Sequence, residues 1–381
     1  MSSNTRHFER SEKSHHEEIS RPFGPRDDSV SVAGMTERVE KSSVLLEQSA
    51  FMKACRLEKT PYTPIWLMRQ AGRYMKEYRK IRDHVPFLEI CKDKDLVTEI
   101  TVVAQEKLKA DAAIIFSDIL LMVESFGLGL EYLKGDGPSI SRAIHSAEDV
   151  DGLPEIKPKE SLRFVFQAIR QTRSALDPEI PLIGFAGAPF TLASYMIEGG
   201  SSEDFIKTKR LMAGDTGLWQ VLMEKIVRAT ALYLNAQIEA GAQAVQIFDS
   251  WVGCLSAAEY EKFVLPYSSK LIQGLTKGKP VIHFGTGTGD YIEKFSQAGG
   301  SVISIDHRVD LGEAWQRVGY NKAVQGNLDP QILCTDLENI RRHTKKILDS
   351  VKGRPGHIFN LGHGVLPETP VENAIALVDM V

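Results

Sequence analysis

The sequence predicts an α/β protein built as a single (β/α)8 TIM barrel. Eight short apolar segments recur after residue 45, each with the length of a strand buried on both faces, where strict alternation is lost. Helix-length amphipathic segments separate them, and eight such units within residues 41–381 fit the usual barrel size of roughly 250 to 400 residues. The segments are IWLM (65–68), AAIIF (112–116), PLIGFA (181–186), AVQIF (244–248), PVIHF (280–284), SVISI (301–305), KAVQG (322–326) and HIFNL (357–361).

Two of the intervening segments carry a predicted helix start. Ser256 to Glu259 and Thr369 to Glu372 have the spacing of a capping box, and Pro370 suits the first helical position. Both signals place a helix directly after a predicted strand and its loop, as a strand–helix repeat requires.

A doubly wound sheet is the alternative architecture. That fold normally shows GxGxxG after its first strand when it binds dinucleotides, whereas the first predicted strand here leads into RQAGRY (69–74). GTGTGD (285–290) does not match the spacing and is as consistent with a tight loop as with a ligand contact. No GxxxxGK[ST] motif occurs, so a nucleotide P-loop is not supported. We therefore predict the barrel.

The composition is that of a globular enzyme without a polyanionic macromolecular partner. Hydrophobic residues make up 43% of the chain and charged residues 25%, with a formal charge of −4 and a pI near 6.2, which argues against nonspecific nucleic-acid binding. The cysteines are far apart without a CxxC pair, which is typical of a reducing compartment. No apolar run reaches the roughly 18 residues of a membrane span. These features predict a cytoplasmic protein with no membrane partner.

The N-terminal stretch differs from the rest. Residues 1–34 are polar, carry charges of both signs and lack helical or strand periodicity, so we predict a disordered tail over 1–40 and the barrel domain over 41–381. Met35 is a candidate for the true start of the protein. Transit peptides are poor in acids, unlike this stretch, although a plastid location is the alternative if the host has plastids.

A local basic cluster follows the first predicted strand. Between residues 69 and 82 six basic side chains accompany a single acid, Glu77, although the whole chain is acidic. We therefore expect this cluster to bind a compact anion. Arg69 and Arg73 are four residues apart, so a helix would place them on one side, and a loop could also make them converge; the alternative is a solvated helix face.

The residues at the predicted strand ends exclude several chemistries. In a barrel enzyme the active site gathers at the carboxyl ends of the strands. No lysine stands there for a Schiff base, no His, Cys or Glu pair has ligand spacing for zinc, and no GxSxG elbow appears. We predict no metal and no cofactor. The remaining set binds a polyanion and stabilises a cation beside it: Arg69, Arg73, Ser117, Asp118, Tyr195, Asp249, Ser250, His283, Asp306, His307, Arg308, Asn327 and His363.

These residues carry a family resemblance. PIWLMRQAGRYMKEYR (64–79) resembles the signature PxWxMRQAGRYxPEYR of the uroporphyrinogen decarboxylase family. The resemblance extends from about Leu45 to the C-terminus, and one departure is Lys76, where the family usually has proline. Further segments are similar to that family's other motifs in the same order: IIFSDILLM (114–122), GAPFTLASYMIEGG (187–200), QIFDSWVG (246–253) and FNLGHGVLPETP (359–370).

The resemblance implies a carboxy-lyase of tetrapyrrole (heme and chlorophyll) biosynthesis. The family removes carbon dioxide from the four acetate side chains of uroporphyrinogen III, which become methyls, and yields coproporphyrinogen III without metal or organic cofactor. The eight carboxylates of this small-molecule substrate account for the basic cluster, since a guanidinium pairs bidentately with a carboxylate. The family also implies a homodimer. The implied substrate-binding residues are Arg69, Gln70, Ala71, Gly72, Arg73, Arg82, Asp118, Tyr195, Ser250 and His363.

Asp118, Arg69 and Arg73 are the implied catalytic residues. A carboxylate near the pyrrole N–H groups would stabilise the cation formed when the ring is protonated on carbon, and Asp118 is the candidate; its alternatives are a helix N-cap or a strand-end salt bridge. Because a guanidinium gives up a proton reluctantly, Arg69 is expected to position the substrate rather than donate a proton, unless it acts on a bound water. The proton donor stays open.

The other strand-end residues have less specific roles. Tyr195 and Ser250 could bond a substrate carboxylate, although a tyrosine in an apolar loop is more often a core residue. His363, between two glycines, could pair with a propionate. Asp249 is expected to support Ser250, and His283 and Asp306 have no assigned role.

Two rival functions remain. Cobamide-dependent methyltransferases are similar in fold and bind zinc through H-x-C after the fifth strand, but here that place reads His283-Phe284-Gly285, and the eighth strand is followed by His363 rather than a thiolate. A tetrapyrrole-binding protein without turnover is disfavoured, because Asp118 and both arginines are present.

Overall fold

The computed structural model describes residues 44–133 and 137–381. The tail predicted over 1–40 and the candidate start Met35 lie outside the described residues. The described residues belong to one compact unit. Within these two ranges, no helix combines the length and apolar character that crossing a membrane requires.

A parallel sheet forms the centre of the molecule. Its strands are β1 (Ala113–Ile114), β4 (Leu182–Gly187), β5 (Ala244–Asp249), β6 (Val281–Gly285), β7 (Val302–Ile305), β8 (Ala323–Gln325) and β9 (His357–Ile358). They are hydrogen-bonded in the order β1-β4-β5-β6-β7-β8-β9, and each pairs in parallel with the next. A separate antiparallel pair, β2 (Leu130–Leu133) and β3 (Gly137–Ile140), follows β1 and was not predicted.

The segment around Ile65 closes the sheet into a barrel. Ile65 forms a parallel bridge with Phe359 next to β9, and its carbonyl accepts a hydrogen bond from the Asp111 N–H just before β1, at 2.8 Å. The segment therefore bonds both edges of the sheet, and the predicted (β/α)8 barrel is confirmed.

The predicted first strand over 65–68 was too long. Beyond Trp66, whose N–H donates to the Phe359 carbonyl at 3.3 Å, the backbone N–H groups bond side-chain amides instead of a neighbouring strand. The Met68 N–H donates to Asn360 Oδ1 at 2.9 Å, and the Leu67 N–H donates to Gln70 Oε1 at 3.2 Å. The strand is thus reduced to a single bridge, because the chain turns into the loop that carries Arg69.

Helices cover the outside of the barrel. They are α1 (Ala50–Cys55), α2 (Lys76–Arg82), α3 (Phe87–Lys92), α4 (Lys94–Leu108), α5 (Leu121–Ser125), α6 (Ala147–Asp151), α7 (Pro158–Ser161), α8 (Arg163–Ala175), α9 (Pro189–Glu198), α10 (Ile206–Gly214), α11 (Thr216–Ala240), α12 (Ala257–Phe263), α13 (Leu265–Gln273), α14 (Ile292–Gln297), α15 (Leu311–Val318), α16 (Leu337–Val351) and α17 (Val371–Met380). Short 3-10 turns lie at Val252–Cys254, Gly289–Tyr291 and Pro330–Cys334.

One of the two predicted capping boxes is present. Ser256 and Glu259 exchange the expected side-chain to backbone hydrogen bonds at the start of α12. The box predicted from Thr369 to Glu372 was wrong. Helix α17 begins at Val371 with Pro370 as its N-cap and no side-chain cap, because the Thr369 hydroxyl faces Cys334 Sγ at 3.8 Å instead of the helix N-terminus.

A polar layer crosses the barrel interior below the carboxyl ends of the strands. Gln325 accepts from Trp66 Nε1 at 2.9 Å and donates to Gln246 Oε1 at 3.1 Å and Ser304 Oγ at 2.9 Å. All four side chains are fully buried or nearly so. This network fixes which residues of β5, β7 and β8 point inward, and it places the next inward residues at the barrel mouth.

Candidate active site

Arg69 lies in the loop after the Ile65 bridge, and its exposed side chain crosses the backbone of Gly364. A β-carbon added at Gly364 would lie 2.4 Å from Arg69 Cδ and 2.9 Å from its Nε. Arg69 has a positive φ of 62°, and the Val365 N–H donates to the Met68 carbonyl at 2.9 Å. Residues 68–69 and 364–365 are thus held together at the mouth. The loop before α2 positions Arg69, since that helix begins only at Lys76.

His363 is placed by the two glycines that flank it. A β-carbon at Gly362 would meet the His307 backbone nitrogen at 2.1 Å, so the two main chains are in direct contact. Burial, together with nearby positive charge led by Arg69, lowers the pKa of the half-buried His363 ring to about 4, and the negative charge of Asp306 opposes this only in part. His363 is therefore neutral at neutral pH and offers an N–H group rather than a charge.

Asp118 is a half-buried carboxylate in the turn after β1. Its Oδ1 accepts a hydrogen bond from the Leu120 N–H at 2.7 Å. Burial raises its pKa, and the Tyr132 hydroxyl, the Leu120 N–H and the positive charge of Arg69 oppose that rise. The structural alternatives for Asp118 are not found: α5 has Leu120 as its N-cap, and in the described part of the chain Asp118 forms no ion pair.

Tyr195 of α9 shares this environment. Its ring packs edge-on against Trp251 at 5.8 Å, and 8% of the residue is exposed. Burial raises the pKa of the Tyr195 hydroxyl, hydrogen bonding to Trp251 and Ser201 lowers it, and the charges of Asp118 and Arg69 act on it in opposite directions. Arg69, Asp118, Tyr195 and His363 are therefore linked electrostatically, with Arg69 common to all.

Ser250 is half-buried in the turn after β5, and Asp249 holds that turn in place. The Thr191 hydroxyl of α9 donates to Asp249 Oδ1 at 2.8 Å and accepts from the Trp251 N–H at 3.3 Å. Asp249 is completely buried, its Oδ2 has no hydrogen-bond partner, and burial raises its pKa to about 7. Asp249 is thus connected through Thr191 to both α9 and the turn that carries Ser250.

The remaining residues of the RQAGR motif have different surroundings. The Gln70 side chain is fully buried and donates to the Ala112 carbonyl at 3.2 Å, so it ties the loop to β1 and is not presented to a ligand. Ala71 and Gly72 are half-buried, and Arg73 is exposed. Arg82 is half-buried and donates to the Val85 carbonyl at 3.2 Å.

The one acid within the basic cluster is paired with a lysine outside it. Glu77 pairs with Lys107 at 2.8 Å. Within residues 44–133 and 137–381, none of the six basic side chains between 69 and 82 forms an ion pair: Arg69, Arg73, Lys76, Arg79, Lys80 and Arg82. Their charge is thus available to an anionic ligand.

Sequence reasoning missed a row of aromatic rings across the barrel mouth. Phe185 contacts Phe248 at 5.5 Å, Phe248 contacts Phe284 at 5.8 Å, and Phe284 contacts His363 at 6.5 Å between ring centroids. Phe248 is two residues beyond the inward-facing Gln246 and pairs in register with Phe284, so strand alternation could have identified both. We call Phe185, Phe248 and Phe284 the aromatic floor.

His283 and Asp306 have structural surroundings. The His283 ring faces out of the barrel, stacks on Phe295 of α14 at 4.0 Å and is fully buried, which lowers its pKa to about 3. Asp306 accepts from the Gly287 N–H at 2.7 Å and pairs with Arg308 at 3.6 Å, so it connects the loops after β6 and β7. In the described ranges no three His, Cys, Asp or Glu side chains are grouped to hold a metal ion.

The fold and the site together define a barrel enzyme whose mouth combines unpaired cations, one partly buried carboxylate and an apolar floor. Residues 46–381 match the family model described as uroporphyrinogen decarboxylase. The chain belongs to the uroporphyrinogen decarboxylase family.

Curated relatives agree with this membership, and a solved structure agrees with the fold. The uroporphyrinogen decarboxylase of Carboxydothermus hydrogenoformans is 52% identical over 332 residues, covering 87% of this chain and 95% of that protein. The protein of the same name from Solibacter usitatus is 49% identical over 334 residues, covering 87% and 96%. A methyltransferase from Methanosarcina mazei superposes with a TM-score of 0.73 at 19% identity, over 87% of this chain and 96% of that one, which shows the fold alone.

Proposed function

We propose that this protein converts uroporphyrinogen III to coproporphyrinogen III by removing carbon dioxide from the four acetate side chains. The family membership supports a decarboxylase, and relatives about half identical over nearly their full length carry the name uroporphyrinogen decarboxylase. The observation that carries the proposal is that the Asp118 carboxylate and the Arg69 guanidinium, which form no ion pair in the described ranges, lie within electrostatic reach of each other at the barrel mouth.

The chemistry needs a place for the electrons of the breaking bond. Protonation of a pyrrole ring on carbon gives an iminium-like cation. The bond between the acetate carboxylate and its methylene then breaks, its electron pair neutralises the cation, and carbon dioxide leaves. A second proton then converts the resulting exocyclic methylene into a methyl group, and the proton first added to the ring carbon is released, which restores the pyrrole. Asp118 accepts hydrogen bonds from the pyrrole N–H groups and stabilises the cation, because a preorganised charge in a partly dry site needs no reorganisation.

The arginines hold the carboxylates of the substrate. Among residues 44–133 and 137–381, Arg69 and Arg73 have no counterion. They offer planar forks for bidentate pairing, and Arg82 adds a third cation. Because a guanidinium gives up a proton reluctantly, the role of Arg69 is to bind and orient the reacting acetate. The donor of the two protons stays unassigned.

The neutral groups complete the binding site. Tyr195 and Ser250 supply hydroxyls and His363 a neutral N–H for further carboxylates, and the backbone of 70–72 lines the same loop. The aromatic floor gives the macrocycle an apolar surface, which also keeps water from the cation.

A zinc-dependent methyltransferase is the nearest rival and is poorly supported. Gly285 stands where the H-x-C motif needs its thiolate, and the His283 ring is buried against Phe295 outside the barrel. A binding protein without turnover would keep the same pocket, so only product analysis separates it from the enzyme.

The proposal includes the assembly and setting of the enzyme. We propose a cytoplasmic homodimer with no nucleic-acid partner, in which residues 41–381 form the barrel domain and the reaction needs no cofactor. The family resemblance supports the dimer. The four cysteines, all in the described part of the chain, are free, which supports a reducing compartment.

Anaerobic turnover tests the function. Purified protein is incubated with chemically reduced uroporphyrinogen III in EDTA, and the products are oxidised and separated by carboxylate number. We expect seven-, six-, five- and four-carboxylate species to appear in sequence. Tight binding with all eight carboxylates retained would leave a tetrapyrrole-binding barrel and overturn the proposal.

A further inference from the structure

Arg308 lies in the loop after β7, and 59% of its side chain is exposed. Its Nη1 is 3.6 Å from Asp306 Oδ2, and in the described ranges its guanidinium makes no hydrogen bond. Asp306 has other partners: its Oδ2 accepts the Gly287 N–H at 2.7 Å, and its Oδ1 accepts the backbone N–H of Arg308 at 3.2 Å. Because both carboxylate oxygens are satisfied by backbone groups, the donors of the Arg308 guanidinium stay available.

A neighbouring arginine with a structural role is bound differently. Arg317 of α15 donates to Glu293 through Nε at 2.6 Å and through Nη2 at 2.7 Å, and its Nη1 donates to the Gly289 carbonyl at 2.6 Å. Arg317 therefore fastens the loop after β6 with its whole planar fork. Arg308 reaches the same loop at Gly287 without such a bond, so holding this loop does not account for an arginine at position 308.

Arg308 crosses a glycine backbone, as Arg69 does elsewhere at the mouth. A β-carbon at Gly287 would lie 3.2 Å from Arg308 Nη1 and 3.0 Å from the Cα of Gly253. Gly287 has a φ of 70°, a conformation that favours glycine. The segment GTGTGD (285–290) is therefore a tight loop whose bare backbone gives a guanidinium room to lie along the mouth.

The loop of Arg308 stands across the barrel mouth from the loop of Asp118. In the closed ring formed by the seven parallel strands and the Ile65 segment, β7 is four positions from β1 in either direction. The basic cluster instead follows the Ile65 segment, next to β1. The positive charges of Arg69 and Arg308 both lower the pKa of His363, which agrees with an arginine on each side of that ring.

The far side of the mouth has few other cations. The loops that join β4, β5, β6, β7, β8 and β9 to the helices after them lie wholly in the described part of the chain, and Arg308 is their single Lys or Arg. A polyanionic ligand bound at Asp118 and the basic cluster therefore meets Arg308 on its opposite side.

We propose that Arg308 forms a second carboxylate subsite, which binds a propionate on the pyrrole ring across the macrocycle from the acetate that reacts at Asp118. This inference rests on the proposed function. The acetates are consumed one after another, whereas the propionates persist, so a propionate is present on the far ring in every decarboxylation. A guanidinium with a free planar fork pairs with such a carboxylate through two hydrogen bonds.

The test measures the binding of coproporphyrinogen III, which keeps the propionates and has no acetates. Anaerobic equilibrium dialysis, followed by oxidation and quantitation of the ligand, gives Kd for the wild type, Arg308→Gln, Arg308→Lys and Arg317→Gln. We expect Arg308→Gln to raise Kd on the order of tenfold, as the loss of a charge-assisted hydrogen bond does. Arg308→Lys should fall between, because lysine keeps the charge and loses the fork. Arg317→Gln, which loosens the same loop from outside, should bind like the wild type.

Two further readouts separate a binding subsite from a general effect on the fold. In turnover of uroporphyrinogen III, Arg308→Gln should raise KM while kcat stays within about twofold of the wild type, since the far subsite holds the ground state and the transition state equally. The difference in Kd between the two proteins should shrink at about 1 M salt, where exposed charges are strongly screened.

Three outcomes overturn the inference. An unchanged Kd in Arg308→Gln would show that no carboxylate is bound there, and an equal loss in Arg317→Gln would trace the effect to the loop. A lower kcat with an unchanged Kd would place Arg308 at the chemical step instead. If the wild type neither binds nor decarboxylates uroporphyrinogen III, the proposed function itself fails; if the wild type is active and Arg308→Gln binds alike, only the Arg308 inference fails.

Discussion

The side chain of Arg69 lies directly on the backbone of Gly364, so close that a β-carbon at position 364 would meet its Cδ at 2.4 Å. The backbone of Gly364 is not in the left-handed region, so its conformation does not require glycine. Glycine is needed because the Arg69 side chain occupies the place of a β-carbon. The same loop carries His363, so the arginine proposed to bind one carboxylate lies against the neighbour of another candidate ligand-binding residue.

Gly364→Ala is expected to impair substrate binding more than stability. The added methyl displaces the flexible end of Arg69, which moves its guanidinium away from the mouth while the backbone stays in place. We expect kcat/KM to fall on the order of ten- to a hundredfold, since small misplacements of a positioning group cost that much. Steady-state kinetics and thermal melting check this. Gly214→Ala, where an added β-carbon has nothing within 4 Å, is the control; equal kinetics in the two variants would contradict the account.

Gly362→Ala is expected to impair stability more than substrate binding. Here the new methyl would meet the backbone nitrogen of His307 at 2.1 Å and its Cβ at 2.6 Å, and a main chain cannot rotate aside. We expect a destabilisation of about 1–3 kcal/mol, the usual cost of overpacking. Chemical denaturation of Gly362→Ala and Gly364→Ala measures the difference. The account is wrong if Gly362→Ala unfolds at the same denaturant concentration as the wild type.

Arg69→Lys is expected to behave as a severe change. Lysine keeps the charge but loses the planar fork that pairs with both oxygens of a carboxylate. We predict a rise in KM on the order of tenfold and a steeper loss of activity with added salt, because a single-point contact is more easily screened. Arg341→Lys on the exposed face of α16 is the control. Wild-type kinetics for Arg69→Lys at high salt would rule out bidentate binding.

Asp249→Asn is expected to change how stability depends on pH. The folded-state pKa of Asp249 is about 7, above its ordinary value of 3.8. Between pH 3.8 and pH 7 the native protein therefore keeps a proton on Asp249 that the unfolded chain has released. Stability contributed by this proton is lost as the pH rises towards 7, by at most about 4 kcal/mol. The neutral amide avoids that loss, so the stability of Asp249→Asn relative to the wild type should improve from pH 5 to pH 8.

Denaturant unfolding at the two pH values measures this relative stability. The exposed N-cap variant Asp336→Asn serves as the control and should track the wild type at both pH values. A constant difference between Asp249→Asn and the wild type would show that Asp249 is ionised throughout this range.

The barrel could be predicted because its strands are buried on both faces and its helices are amphipathic. The end of the first strand could not be predicted, since beyond Trp66 the side-chain amides of Asn360 and Gln70 take the place of a strand neighbour, and side-chain pairing leaves no periodic signal. The capping box at Thr369 failed for a similar reason, because tertiary packing against Cys334 competes with the local bond. The β2–β3 hairpin was overlooked although KGDGP (134–138) contains a turn sequence.

The candidate site could be predicted at the strand ends and not inside the strands. Asp118, Tyr195 and His363 follow strands in the sequence, and the structure places all three within the electrostatic reach of Arg69. Gln70 lies in the same motif, but its side chain turns inward, which no spacing rule indicates. The aromatic floor lies within strands, where an apolar ring reads as core until the topology shows which face it occupies.

The most direct test of the central claim is the anaerobic turnover of uroporphyrinogen III by Asp118→Asn beside the wild type, with substrate binding measured for both. The amide keeps the shape of the side chain and removes the charge that stabilises the pyrrole cation. We predict that the variant binds the substrate but loses kcat by about a hundred- to a thousandfold or more, so that eight-carboxylate material persists. Turnover within about tenfold of the wild type would contradict the account, because the cation would then be stabilised by another group.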